Sequence, residues 1–548
     1  MNTENTPKEK KITREHKILA KNSLYSFIHT YGNFIFSIIT ASIIARTISQ
    51  HEWQYLILTL SLIGIFLTLL TFLSPSLGGS LIYYISGYYA LNYNTKVRSF
   101  TRNAIILRIL FLIPIFLLSI LIFTIFLEIF KISLGEYYYL FYLLSPLIII
   151  KAFDGILSEL TRALNMFRIN LFLLIIYNII YIGGLLFLFF YIESNKLIFI
   201  GIIYVIAATI PFIINCFIIY FKFKFKIKKT EEDGDTFKEC VKLIYNYGTY
   251  LSIIEGYSTF CINIKPIFVG VFEVEGMVTG YHIAKRYNSV STANISPLYR
   301  PLSISLTRLY SKEQFDQIQK IYNTIFRYTL LLFLLGTGFF YFIADFFLYF
   351  VYGESYLIYS LLVKLSLISI IFTIQDSFLA SFLIASKKVK TLAVNALIFG
   401  SIQLVFFTIG LILYGIIGSI VFSIIAFIIT LIWYTIILNK NKIKLKSKKI
   451  IQIYAIFFIS LLSASILESI LLKDIYLGIL RNLDLLFFQY FNPLSLGLFF
   501  IIFIFLIIFL KIITISDVEL IEHFFIRDSV SHKNIRKILS ISKRFLRA

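Results

Sequence analysis

The chain has 548 residues, of which 59% are hydrophobic, 18% aromatic and 15% charged, and its mean hydropathy is +0.86. A water-soluble surface does not tolerate that composition, so a soluble enzyme is excluded and a polytopic membrane protein is expected. The formal net charge of +22 comes from 51 Lys and Arg against 29 Asp and Glu, but the basic residues sit in short clusters between apolar runs, a pattern of membrane topology and not of nucleic-acid binding.

A bilayer core about 30 Å thick needs roughly 20 apolar residues per helical span. The polar segment 1–23 precedes an apolar run longer than a signal-peptide core, which reads as a first span and not as a cleaved leader. Spans are expected at 24–45, 54–73, 103–127, 137–150, 169–192 and 197–221, forming an N-terminal six-helix bundle over 24–221. A basic linker, 222–245, leads to six more at 246–272, 277–306, 322–345, 357–385, 391–413 and 415–438, a second bundle over 246–438. A basic loop (439–449), two additional spans (450–472 and 494–512, within 450–512) and a basic amphipathic tail (513–548) follow. The expected fold is all-α, with fourteen transmembrane helices in two pseudo-symmetric six-helix bundles plus two C-terminal helices. The segment 277–306 is far more polar than its neighbours.

Charge tests that count independently. Of the 51 basic residues, 40 fall in segments that alternation places on one side, and only Arg46, Lys131, Lys196, Lys473 and Arg481 fall on the other. The basic side is the cytoplasmic side, so both termini are expected there, with the chain in the cell membrane.

The segments outside the bilayer are too short for a catalytic domain. There is no G-x-x-x-x-G-K-[ST] phosphate loop and no H-E-x-x-H, and Cys216, Cys240 and Cys261 lack metal-like or paired spacing. No cofactor, metal or nucleic-acid partner is expected. A membrane enzyme of glycan assembly would present a sizeable outer loop, and the outer loops here are short, so a transporter is favoured over an enzyme.

Two sequence features recur. Gln54-Tyr55 matches Gly280-Tyr281, and ALNMFR (Ala163 to Arg168) matches ASKKVK (Ala385 to Lys390) at an offset of 222. A duplicated six-span unit has both copies in the same orientation, related by a pseudo-two-fold along the membrane normal, which is a geometry for alternating access.

With these residues the chain resembles the polysaccharide and oligosaccharide-lipid flippases of the multidrug/oligosaccharidyl-lipid/polysaccharide (MOP) exporter superfamily. ARTISQHEWQY keeps Ala45 and Arg46 of that family's opening pattern but has Ser49 and Gln54 where glycines are usual. FVGVFEVEGMVTGYHIAKRY resembles the hairpin of spans seven and eight through Gly270, Gly280, Tyr281 and Ala284, and SPLYRPLSISLTRLY resembles the proline-bearing end of span eight. VYGESY (Val351 to Tyr356) and LYGIIGSIVFSII are similar to the turns before spans ten and twelve. The resemblance covers roughly 18–440 and departs at Lys265, where the family often has an acidic residue.

Six cations fall within spans: Arg108, Lys265, Lys285, Arg286, Arg300 and Lys364. A charge at mid-membrane costs about 2.5–3.5 kcal/mol on insertion scales, so it calls for a wet cavity, a partner or snorkelling. Arg108 lies near a helix end and is read as snorkelling. Lys265, Lys285, Arg286 and Lys364 share one level by helical rise, with few acidic groups near, and a multivalent anion would relieve their repulsion. With Arg46 they form the candidate cationic cavity. Glu255, Arg300 and Asp376 are candidates for a gate or a coupling site, each weighed against a structural polar pair. His282 reads as a packing histidine.

By resemblance the substrate is a polyprenyl-linked oligosaccharide flipped to the outer leaflet, with membrane lipids and glycan-assembly enzymes as further candidate partners. The alternatives are a cation-coupled multidrug exporter of the same superfamily, a membrane-embedded enzyme of glycan assembly, and a non-transporting scaffold.

Overall fold

A computed structural model describes residues 7–74, 77–126, 135–225, 234–293, 313–441, 447–472 and 493–512, with isolated positions between them. Among the described residues the chain forms helices and no strands. Arg300, the span-eight end around Pro297 and Pro301, and the basic tail 513–548 lie outside the described residues.

Helix α1 (Pro7–Thr47) carries its apolar stretch from Leu24 onward. Ser49 then starts α2 (Gln50–Leu73) through a capping box: the Glu52 backbone N–H donates to the Ser49 hydroxyl, and the Ser49 N–H donates to the Glu52 carboxylate at 2.9 Å. Helix α2 stops at Ser74, whose backbone is non-helical because Pro75 follows. The next helix, α3 (Leu77–Ala90), falls where no element was expected. Its glycines, serines and tyrosines dilute the apolar signal, yet Leu81 and Ile85 are fully buried.

Helix α4 (Asn94–Ile125) follows, then a 3-10 turn at Gly135–Tyr138, α5 (Tyr139–Leu144) and α6 (Pro146–Ala163), the last two meeting at a 43° bend. The expected span 137–150 therefore runs on to Ala163. Helices α7 (Phe167–Tyr191) and α8 (Lys196–Phe225) complete the first set. The second set comprises α9 (Phe237–Phe272), α10 (Met277–Ala293), α11 (Phe315–Phe342), α12 (Ala344–Tyr352), α13 (Ser360–Ile370), α14 (Ile374–Ala385) and α15 (Val389–Lys440). Helices α16 (Ser447–Leu467) and α17 (Pro493–Phe509) close the order.

Thirteen of the fourteen expected spans fall on these helices, and the eighth, 277–306, does so over 277–293, its remainder lying largely outside the described residues. Among the described residues, nine helices are long and apolar enough to cross a membrane, or ten with the bent α5–α6 pair. Helix α15 is 52 residues long but broken at Tyr414 and Gly415, between the two spans expected there. The others are α9, which carries Glu255, Asn263 and Lys265 within its apolar stretch, the polar 17-residue α10, and the short apolar α17. Span ten is interrupted: residues 371–373 separate α13 from α14.

The duplication is visible in the backbone. Asn92 and Glu313, Gly135 and Gly353, Asn165 and Lys387, and Asn195 and Gly415 all have positive φ, and each pair is separated by 218 to 222 residues. The hydrogen bonds repeat as well. Asn92 N–H donates to Tyr89 and Tyr93 N–H to Tyr88, while Glu313 N–H donates to Tyr310 and Gln314 N–H to Leu309. The helix sequence α4 to α8 is thus laid down again from α11 to the end of α15.

Two compact units can be distinguished, and neither is continuous in sequence. The first comprises 1–283, 351–355 and 387–426, and the second 284–350, 356–386 and 427–548. Within the first unit α9 joins the N-terminal helices because it lies close along α2: a Cβ on Gly64 would meet the Asn263 amide at 2.5 Å, and one on Gly270 would meet Leu58 at 2.9 Å. Small residues let helix backbones approach in a membrane, where packing and not hydrophobic exclusion holds helices together. Within the second unit Phe499 of α17 packs against Phe342 and Phe457, so the C-terminal pair shares a core with α11.

The linker between α8 and α9 is fastened to α4 of the same unit. Arg98 donates to the carbonyls of Ile227 and Phe223, the Asp235 N–H donates to Ser99 Oγ at 2.9 Å, and Asn103 Nδ2 donates to the Asp235 carbonyl at 3.0 Å. Burial pushes the Asp235 carboxyl up, against a Tyr88 hydrogen bond that pulls it down. The Glu239 carboxyl is pulled down because it accepts the Thr236 N–H in a second capping box.

Candidate functional site

Helix α6 shows how sequence becomes a site. Lys151, Asp154, Ser158 and Arg162 follow one another at spacings of three or four, so they share one face of the helix. That face lines a cavity of about 310 Å³ with His29 of α1, Asn170 and Tyr177 of α7, and Tyr204 and Pro211 of α8, all in the first unit. The volume would hold about ten waters.

Its charges are arranged. Arg162 forms an ion pair with Glu159 at 2.8 Å and acts electrostatically on Asp154 and His29. Lys151 donates to the Tyr204 hydroxyl at 3.2 Å, with its ammonium 5.2 Å from the ring centroid. The Asn215 side chain, fully buried on α8, lies beside Asp154. Asn170, which lines the cavity, accepts at Oδ1 from the Thr161 hydroxyl at 2.6 Å. A cavity with a carboxylate, two cations and hydroxyls can hold a proton, a hydrated cation or a small polar group. No sequence motif marks these residues, because a fourth span ending at 150 leaves Lys151 and Arg162 in a loop. The signal was the spacing along 151–162.

The residues that were singled out fall into two groups. In the first unit, the Lys265 ammonium lies 5.2 Å from the Phe407 ring centroid, and Tyr281 packs against the same ring at 5.7 Å. Arg46 and Glu255 are exposed. In the second unit, Lys285 and Arg286 are half-buried on α10, and Asp376 sits in the first turn of α14 with Tyr434 as a side-chain partner. Trp53 meets the edge of His282 at 6.2 Å, in keeping with a packing role.

Two intramembrane cations have partners that sequence did not reveal. Arg108 Nη1 donates to Ser74 Oγ at 2.6 Å, so it is tied to the end of α2 and does not simply snorkel. Lys364 donates to Asp345 at 2.6 Å, and Ser360 donates to the same carboxylate. Lys364 therefore has an acid to neutralise it, and repulsion at its level is weaker than the charge count implied. Asp345→Ala is expected to cost about 2–3 kcal/mol, with much of it recovered in the Asp345→Ala/Lys364→Ala double variant, because an uncompensated half-buried ammonium is worse than none. Chemical denaturation of the four proteins as a double-mutant cycle measures this, and additive losses would show that the pair contributes nothing.

The fold built by these helices is similar to that of solved transporters of the MOP superfamily. Two solved structures match it with TM-scores of 0.61: the inward-facing conformation of a multidrug resistance MATE family transporter (15% identity, covering 75% of this chain and 95% of that one) and the lipid II flippase MurJ in an inward closed conformation (18% identity, covering 89% and 99%). A MOP-superfamily transporter from Pyrococcus furiosus, described as having a binding pocket of reverse polarity, matches at 0.56 (12% identity, covering 78% and 96%). No protein-family model and no curated protein matches the chain in sequence.

Proposed function

We propose that this chain is a flippase that carries a polyprenyl-(pyro)phosphate-linked oligosaccharide across the cytoplasmic membrane by alternating access, in surface polysaccharide or glycan biosynthesis. One observation carries the reading. The lipid II flippase matches 89% of this chain, whereas the multidrug transporters match 75 to 78%. The surplus is about a tenth of the chain, the size of the C-terminal pair over 447–509.

The chemistry supports it. Lys265, Lys285 and Arg286 lie on helices and are half-buried, in positions where cations suit the phosphate at the junction of glycan and lipid. The duplicated helix order supports a rocking pair of halves. The bias of Lys and Arg toward one side supports a topology with both termini inside. With no phosphate loop, the drive is an ion gradient, the membrane potential or consumption of cargo outside. The Asp154 cavity is the candidate for ion coupling.

The test replaces Lys265, Lys285 and Arg286 together by Ala and measures glycan reaching the outer leaflet at matched expression. Charge-assisted hydrogen bonds are worth about 1.5–3 kcal/mol each, so delivery should fall at least about tenfold. Undiminished delivery would sink the anion-binding reading.

A second reading, a cation-coupled exporter of small molecules, is favoured by one observation. The Asp154 cavity puts a carboxylate among aromatic rings, where an organic cation could bind. Cation efflux that survives the triple substitution but fails in Asp154→Asn would select it.

A further inference from the structure

His51 and Tyr55 stand one turn apart at the start of α2, and neither belongs to the site above. His51 Nε2 lies 2.9 Å from Glu275 Oε2, in the turn between α9 and α10, and 3.0 Å from the Tyr55 hydroxyl. The same turn is held to α2 at two more points: the Gly276 N–H donates to Gln54 Oε1 at 2.6 Å, and the Thr279 hydroxyl donates to the Gln50 carbonyl at 2.7 Å. Gly276 has φ of +90°, which shapes that turn for the contact. All of these residues belong to the first unit.

Nε2 is the hinge of the chemistry. It faces a carboxylate, which needs a proton from it, and a phenol, which can give it one. An imidazolium must donate from Nε2 and so binds Glu275. A neutral ring whose Nε2 is bare accepts from Tyr55 and presents a lone pair to the carboxylate, which repels it. Histidine is the side chain whose charge ordinarily changes between about pH 5 and 8.

We propose that His51, Tyr55 and Glu275 form an acid-tightened latch between α2 and the α9–α10 turn, regulating the opening of the transport pathway at that end of the molecule. The assignment of this contact to a pathway rests on the transport reading above; the latch itself does not. Among the described residues, the Tyr137 ring lies 6.4 Å from that of His51, and Tyr137 in turn interacts with Glu52, Glu136 and Tyr139. His51 and Glu275 side chains are 38% and 73% exposed, so solution protons reach them and the effect is modest.

Hydrogen exchange of the full-length protein reports the latch without any transport assay. Peptides covering 49–55 and 273–281 are followed at about pH 5.5 and about pH 8, with the intrinsic exchange rate removed. Protection should be roughly threefold greater at the acidic pH in the wild type. His51→Gln and Glu275→Gln should each show no such pH step. Tyr55→Phe should show a smaller step, because without the phenol the neutral ring keeps its Nε2 proton for Glu275. A wild-type protein with no step, or His51→Gln with an undiminished one, overturns the proposal. A pH step in exchange with unaltered transport would leave the latch standing and remove its place in the cycle.

Discussion

On the proposed flippase function, Asp154→Asn is expected to cut the rate of cargo delivery by roughly tenfold or more while leaving the protein folded. The carboxylate is built into α6, faces a cavity with room for water, and lies within the electrostatic reach of Arg162. An ionisable group inside a span is costly to insert, and a transporter retains one where its charge does work. Asn preserves the shape and the contact with Asn215 but cannot exchange a proton or neutralise a cation. Asp154→Glu should retain part of the rate because it retains the charge. The measurement is the initial rate of delivery under an imposed proton or sodium gradient, with thermal unfolding of the purified variants as the check on folding. A variant with Asn at this position that still responds fully to the gradient would take the cavity out of the coupling scheme.

Gly418→Ala is expected to cost about 3 kcal/mol or more, at the upper end of the effect of overpacking. Across the break in α15, a Cβ on Gly418 would lie 2.5 Å from the Gly410 carbonyl oxygen, and one on Gly410 would lie 2.4 Å from that of Gly418. A side chain in the way could rotate aside. A backbone carbonyl within a helix has nowhere to go. The turn itself depends on a second glycine: Gly415 has φ of +67°, and a Cβ there would also meet Glu273 Oε1 at 2.8 Å. Gly183→Ala provides the contrast, since nothing lies within 4 Å of a Cβ at that position, and it should gain about 0.5–1 kcal/mol from helix preference. Denaturation midpoints of the two variants in the same detergent decide the matter, and equal midpoints would mean that the two arms of α15 are not in contact.

What was legible in the sequence follows from the length scale of each signal. A span is twenty residues of one character, so a few substitutions do not hide it, and the turn in LYGIIGSIVFSII falls at the division between spans eleven and twelve. The ALNMFR and ASKKVK match was legible for the same reason, since each segment ends a helix in the same left-handed turn, at Asn165 and at Lys387. Side-chain partnerships are different. Asp345 precedes Lys364 by nineteen residues and lies on a different helix, so no periodicity links them. Likewise His51 and Glu275 are joined only by the packing of α9 along α2. The polar face of α6 was legible in principle, but the basic residues that mark a membrane boundary also marked this cavity, and Lys151 and Arg162 were counted for the first purpose. Helix α3 lies outside the expected spans because tyrosine and glycine weaken an apolar run without preventing burial.

The left-handed turns have one more consequence. At Glu313 and Lys387 the chain holds residues that visit that backbone region reluctantly, opposite asparagines that visit it readily at Asn92 and Asn165. Side chains have drifted at these corners while dihedral angles have not. The internal repeat is therefore written in torsion angles, and chains too diverged for residue alignment should still be recognisable by the beat of four such corners struck twice along the polypeptide.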